Sequence, residues 1–216
     1  MNFALKLYHQ DKKVNQTLFL YMIYCLTLLL VRAKITQSVY LFFLIWNLFL
    51  AFVPYIISSY FQSLDTKNNP KFKLYTLLTI WLLFIPNSFY IITDLVHLDN
   101  SDGFIFWLDL IIISSYALIG FGLGLLSLSH FETTLQTIIS KKYATIILFC
   151  ISSLCGFGIY VGRILRYNSW DIISNPFDLI VDLFIAATSK TSLFFSIQFG
   201  IFIYFAFLIK KNITSK

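Results

Sequence analysis

Six apolar runs, each near the length that crosses a bilayer, restrict this chain more than any other feature. They cover about Val14 to Val31, Ser38 to Tyr60, Leu74 to Ile92, Phe104 to Leu128, Tyr143 to Gly162 and Ser192 to Ile209. A transmembrane helix needs about 20 mostly apolar residues. In lipid, every backbone amide must be satisfied within the structure, which leaves helices and closed barrels. Only 12% of the residues are charged, against about 25% in a soluble domain, and the mean hydropathy is +0.79. The expectation is an all-α, polytopic membrane helix bundle with about six transmembrane helices, forming a single integral membrane domain over residues 1–216. Pro54 and Pro86 fall in or near the ends of two spans, where a missing N–H can kink a helix.

A net charge of +6 would point to nucleic acid if it formed a stripe on a soluble domain. Here the basic residues sit between apolar runs, so the expected partner is the lipid bilayer and not nucleic acid. With alternating spans, Lys6, Lys12, Lys13, Lys67, Lys71, Lys73, Lys141, Lys142, Lys210, Lys211 and Lys216 share one side. Arg32, Lys34, Arg163, Arg166 and Lys190 share the other. Eleven against five places both termini in the cytoplasm by the positive-inside rule. The first run ends in Val31-Arg32-Ala33-Lys34 without a small-x-small cleavage pattern, so it reads as an uncleaved first span. Cys25, Cys150 and Cys155 show no disulfide or zinc spacing and read as small core hydrophobes.

Polar chemistry collects in three places. The first is Pro86 to Leu98. At about 100° per residue, Asn87, Tyr90, Asp94 and His97 fall at roughly 0°, 300°, 340° and 280°, on one helix face. Asp94 and His97, three apart, can share a divalent ion or a proton; the plainer reading is a wet helix end. The second is Asp109, roughly 7 Å inside a helix that starts at Phe104. An ionisable group there needs a partner, such as an arginine or a metal. The third is Arg163 to Asp171, where Arg163 and Arg166, three apart, can clamp a phosphate or carboxylate. Snorkelling to lipid headgroups is the alternative. Asn168, Trp170 and Asp171 follow, with Trp170 suited to an interfacial anchor.

Two spans separate the loop after Asp94 from the loop after Arg163, so both lie on one side whichever way the protein is inserted. Both should face outward. Asn175-Pro176-Phe177-Asp178 reads as a helix start, opening a short interfacial helix to about Ala187 whose acids are solvated. Gly120-x-x-x-Gly124 and Gly158-x-x-x-Gly162 permit close helix approach. His130 and Glu132 fall on the opposite side and read as solvated surface residues.

The runs Pro86-Asn87-x-x-Tyr90-x-x-Thr93-Asp94-Leu95-x-His97-Leu98, Trp107-x-Asp109 and Gly156-x-Gly158-x-Tyr160-x-Gly162-Arg163-x-x-Arg166-x-Asn168-Ser169-Trp170-Asp171 resemble the family catalogued as domain of unknown function 1361. The resemblance implies a bacterial multi-pass membrane protein of the cytoplasmic membrane and supplies no activity. The residues themselves admit three functions. In the first, a membrane-embedded enzyme uses Asp94, His97 and Asp109 as catalytic groups or as ligands of a divalent metal ion. Arg163, Arg166, Asn87, Tyr90, Trp170 and Asp171 then bind a lipid-linked or envelope substrate. The second is a small transporter or solute-binding membrane protein built on Asp109 and an arginine. The third is an assembly partner for another envelope protein.

Overall fold

The computed structural model describes residues 12–64, 70–98, 103–167 and 171–214, all of them in helices or connections, with no strand among them. Helix α1 spans Lys12–Thr36. A 3₁₀ turn, Tyr40–Phe42, leads into α2, Phe43–Ser63. Helix α3 covers Lys71–Tyr90 and passes without a break into a 3₁₀ segment, Ile91–His97. Then come α4, Phe104–Gln136; α5, Lys141–Arg163; a single helical turn, Asp171–Ser174; α6, Pro176–Thr188; and α7, Lys190–Thr214. Lys6, Lys67, Asp99, Asp102, Asn168, Trp170 and Lys216 lie outside the described residues.

Six helical stretches are long and apolar enough to cross a membrane: Lys12–Thr36, Tyr40–Ser63, Lys71–His97, Phe104–Gln136, Lys141–Arg163 and Lys190–Thr214. This is an all-helical, multi-pass membrane protein. Helices α1, α4, α5 and α7 outrun their apolar stretches, because hydropathy reports only the part that lipid must cover while polar ends continue the same hydrogen-bond ladder. The largest overrun is α4. Its apolar run ends near Leu128, yet the helix continues to Gln136 over 33 residues.

That extension corrects the reading of His130 and Glu132 as solvated. Both are buried. His130 lies against the Tyr55 ring, with centroids 5.5 Å apart, and its Nδ1 is 3.4 Å from Ser58 Oγ. Glu132 accepts from Lys211 of α7. One more helical turn carried these polar groups between neighbouring helices, where each found a partner. Cys150 departs from expectation in the other sense: it is exposed, while Cys25 and Cys155 are buried.

Helix α4 is the wall between two apolar cores. On one side Leu29, Leu44 and Ile91 pack with Ile112 and Tyr116. On the other Trp81, Ile85 and Phe89 pack with Leu148, Ile159 and Ile203, and Trp81 stacks on Phe131 with centroids 4.3 Å apart. Large apolar side chains such as Phe19, Leu83, Leu118 and Phe205 stay exposed, as a lipid-facing surface requires.

The two small-x-x-x-small pairs press on the same stretch of chain. A Cβ at Gly120 would meet Ile91, and one at Gly124 would meet Phe89 and Ser88. A Cβ at Gly158 would stand 2.6 Å from Pro86, and one at Gly162 would meet the Tyr90 ring. Residues 86–91 are therefore gripped by α4 and α5 together, which holds the following 3₁₀ segment in place. Gly158→Ala should destabilise the protein by about 1–3 kcal/mol, because a proline ring cannot step aside. Thermal unfolding in detergent would measure this against Gly122→Ala, whose Cβ meets open space.

Candidate functional site

Helix α3 tightens at Tyr90. Thr93 donates its hydroxyl to the Tyr90 carbonyl at 2.6 Å, and residues 91–97 wind as a 3₁₀ segment. With three residues per turn, Ile91, Asp94 and His97 align on one face. The one-face reading of 87 to 97 as a continuous α-helix is corrected accordingly: Asn87 and Tyr90 belong to α3, Asp94 and His97 to the tighter segment. Ile91 is fixed under Gly120, so Asp94 is driven inward to 1% exposure.

Arg163, the last residue of α5, closes over this segment. Its Nε and Nη2 donate to Thr93 Oγ1 at 2.9 and 2.7 Å. Nη2 also donates to Asp94 Oδ1 at 2.6 Å, and Nη1 lies 3.0 Å from His97 Nε2. The guanidinium carbon sits 4.4 Å above the Tyr90 ring, a cation–π contact. On the far side of the carboxylate, Asn47 Nδ2 donates to Asp94 Oδ2 at 2.7 Å. Arginine can only donate, so His97 Nε2 accepts and the imidazole proton is assigned to Nδ1, which faces the Tyr40 hydroxyl at 3.4 Å.

Asp109 belongs to a second pair. Arg32 of α1 grips it through Nε and Nη2 at 2.9 and 3.0 Å, with both side chains under 10% exposed. Arg32 Nη1 also donates to the Ser38 carbonyl. A divalent site built from Asp94, His97 and Asp109 is not assembled. Both Asp94 oxygens and His97 Nε2 already accept from the protein, and Asp109 faces Arg32. Among the described residues no three His, Cys, Asp or Glu side chains converge on one point.

The expected arginine clamp is also not formed. The helix ends at Arg163, and Arg166 stands exposed with φ +63°, so the two no longer share a helical face. Among the described residues no hydrogen bond or ion pair reaches Arg166. Asp171 begins the short helical turn and accepts from Ser174. At α6, Asn175 does not cap with its side chain but donates to Asp178, and Asp182 accepts the Tyr167 hydroxyl at 2.7 Å. That bond pushes the Tyr167 phenol up to about 12, so it keeps its proton at any physiological pH.

Beside the Arg163 network runs a groove of about 400 Å³ between α2, α3 and α5, closed over by Tyr167, the 171–174 turn and α6. Its lining residues with polar groups are Trp46, Asn47, Asn87, Tyr90 and Tyr167; the rest are apolar or glycine.

The family model that matches this chain covers residues 46–206, under the description "Protein of unknown function (DUF1361)". The chain belongs to the DUF1361 family. No curated protein and no solved structure matches it. Within the family's stretch lie Asn47, Asp94, His97, Asp109, Arg163 and the whole groove, while Arg32 lies ahead of it.

Two partners escaped the sequence reading. Asn47 is a lone amide in an apolar run, and a polar residue in a span usually has an interhelical partner. In the sequence, Arg32 reads only as an orientation signal. Its place in the last two turns of α1, matched in depth to Asp109 at the start of α4, is the signal that pairs them.

Proposed function

We propose that this DUF1361 protein binds a lipid or lipid-linked envelope molecule, with the apolar anchor in the groove and the polar group at its Arg163 end. The observation that carries the reading is a gradient of polarity along the groove that two helices, α2 and α3, share. On α2, Trp46 and Asn47 lead inward to Leu50. On α3, running the other way, Leu82, Leu83 and Pro86 lead to Asn87 and Tyr90. On α5, Leu154, Phe157, Gly158, Val161 and Gly162 supply an apolar wall, and Tyr167, beyond the helix end, adds a hydroxyl. Leu82 and Tyr90 stand about 12 Å apart along the helix axis. The polar groups gather at one end while Leu82, Leu83 and Leu154 line the other, and Ile172, Leu179 and Leu183 add apolar surface along the side covered by α6.

Acid–base catalysis by Asp94 or Asp109 has less support, since each carboxylate is buried beneath a guanidinium group. Binding is the reading that the groove favours. The test is lipid retention by the detergent-purified protein, read by native mass spectrometry. Leu83 and Leu154 line the groove and are at least half exposed, so tryptophan at either fills the groove without opening the core. Retention by Leu154→Trp should fall about tenfold, the factor that about 1.4 kcal/mol of lost contact produces. Leu118→Trp, exposed and away from the groove, should retain lipid normally. Equal retention by all three proteins would overturn the proposal.

A further inference from the structure

The groove's polar end carries hydrogen-bonding groups but no charged side chain in its lining, and it begins with two amides whose orientation is forced. Asn47 must turn its Nδ2 to Asp94, because a carboxylate under an arginine only accepts. Asn87 must turn its Nδ2 to the Phe84 carbonyl, 3.1 Å away, for the same reason. Flipping either amide would set acceptor against acceptor. Each side chain therefore leaves over its carbonyl oxygen and one amide N–H. Among the described residues no donor reaches either oxygen, and neither is sealed off as a buried, unpartnered atom.

The neighbouring phenol and guanidinium are largely committed within the protein. Tyr167 gives its proton to Asp182, which leaves its phenol oxygen as a further acceptor. Arg163 gives its N–H groups to Thr93, Asp94 and His97, and its charge is matched by Asp94. Among the described residues no hydrogen bond engages the Tyr90 hydroxyl, which can give or take. None of the residues lining the groove is an Asp, Glu, Lys or Arg. A charged head group would enter without a counter-charge, at a desolvation cost that nothing in the lining offsets.

We propose that the groove selects amphiphiles with an uncharged, hydroxyl-bearing head, whose O–H groups both donate to the carbonyl oxygens and accept from the spare N–H groups of Asn47 and Asn87, over amphiphiles with an anionic phosphate head, which only accepts. This deepens the groove-binding reading and rests on it. The test compares four probes with identical acyl chains on the detergent-purified full-length protein: dioleoylglycerol, glucosyl-dioleoylglycerol, dioleoylphosphatidylglycerol and dioleoylphosphatidic acid. Affinities come from native mass spectrometry titration. The two uncharged probes should bind about tenfold tighter than phosphatidic acid, a factor equal to about 1.4 kcal/mol. Phosphatidylglycerol, with both hydroxyls and a charge, should fall between them.

Asn87→Leu is close in shape and sits half-buried. It should keep its thermal transition, still bind the probes and lose most of the discrimination. Discrimination unchanged in Asn87→Leu would overturn the inference, as would phosphatidic acid binding as tightly as the uncharged probes. If all four probes bind equally and Leu83→Trp abolishes that binding, the head-group inference fails while the groove reading stands. Absence of saturable binding for every probe would remove both.

Discussion

Replacing Arg163 with methionine should lower the stability of the protein by about 3–5 kcal/mol, the usual cost of leaving one member of a buried ion pair uncompensated. The residue left behind decides the size. Asp94 is 1% exposed and cannot reach solvent, whereas the Arg163 side chain is 18% exposed. The two single substitutions should therefore differ. Asp94→Asn leaves a guanidinium that can turn toward water and keeps its bonds to Thr93 and its contact with the Tyr90 ring, so it should cost clearly less. Arg163→Met also opens the link from α5 to the 3₁₀ segment, since Thr93, Asp94 and His97 all bond to that one side chain. Combining the two changes should recover part of the loss, because no charge then remains buried. Thermal or denaturant unfolding in one defined detergent, with the four proteins of the cycle side by side, measures both the asymmetry and the coupling. Equal losses for the two single variants would mean that Asp94 is more solvated than its burial indicates.

The pair Arg32–Asp109 should respond differently. Here both side chains are buried to a similar degree and joined by two parallel hydrogen bonds. Neither partner has an exit. Arg32→Met and Asp109→Leu should each cost about 3–5 kcal/mol. The double variant should recover most of that loss, because replacing a whole buried pair with apolar groups of similar volume is often neutral or stabilising. Arg32→Lys should restore only part, since an ammonium cannot reproduce the two-point grip. The same unfolding measurement decides it. A double variant as unstable as either single one would mean that the pair contributes more than charge compensation, for example by setting the register of α1 on α4.

The sequence made the six spans legible because the constraint behind them is local. A segment in lipid must satisfy its own amides and present enough hydrocarbon, and both requirements can be read from consecutive residues. Counting spans also placed Asp94 and Arg163 at the same end of the bundle, and there they form an ion pair. The special character of Pro86 to His97 was visible as well, since few other stretches carry so many polar groups. Its helical geometry was not. The change from α to 3₁₀ winding at Tyr90 depends on Thr93 bonding back to the Tyr90 carbonyl and on Ile91 seating under Gly120.

What the sequence could not reveal is which helix lies beside which. Asp109 needed a partner by its depth alone, but Arg32, Arg163 and Arg166 were all at the right end, and only the packing of α1 on α4 chose Arg32. Likewise Arg163 and Arg166 looked like a pair at helical spacing until α5 stopped between them. The groove has no sequence signature, because its lining comes from three spans and a loop that are distant in the chain. Span length and hydropathy follow from what each residue asks of its solvent, and the sequence determined them. Pairing of charges, burial of polar ends and the shape of the groove follow from how helices meet, and only the tertiary structure decided those.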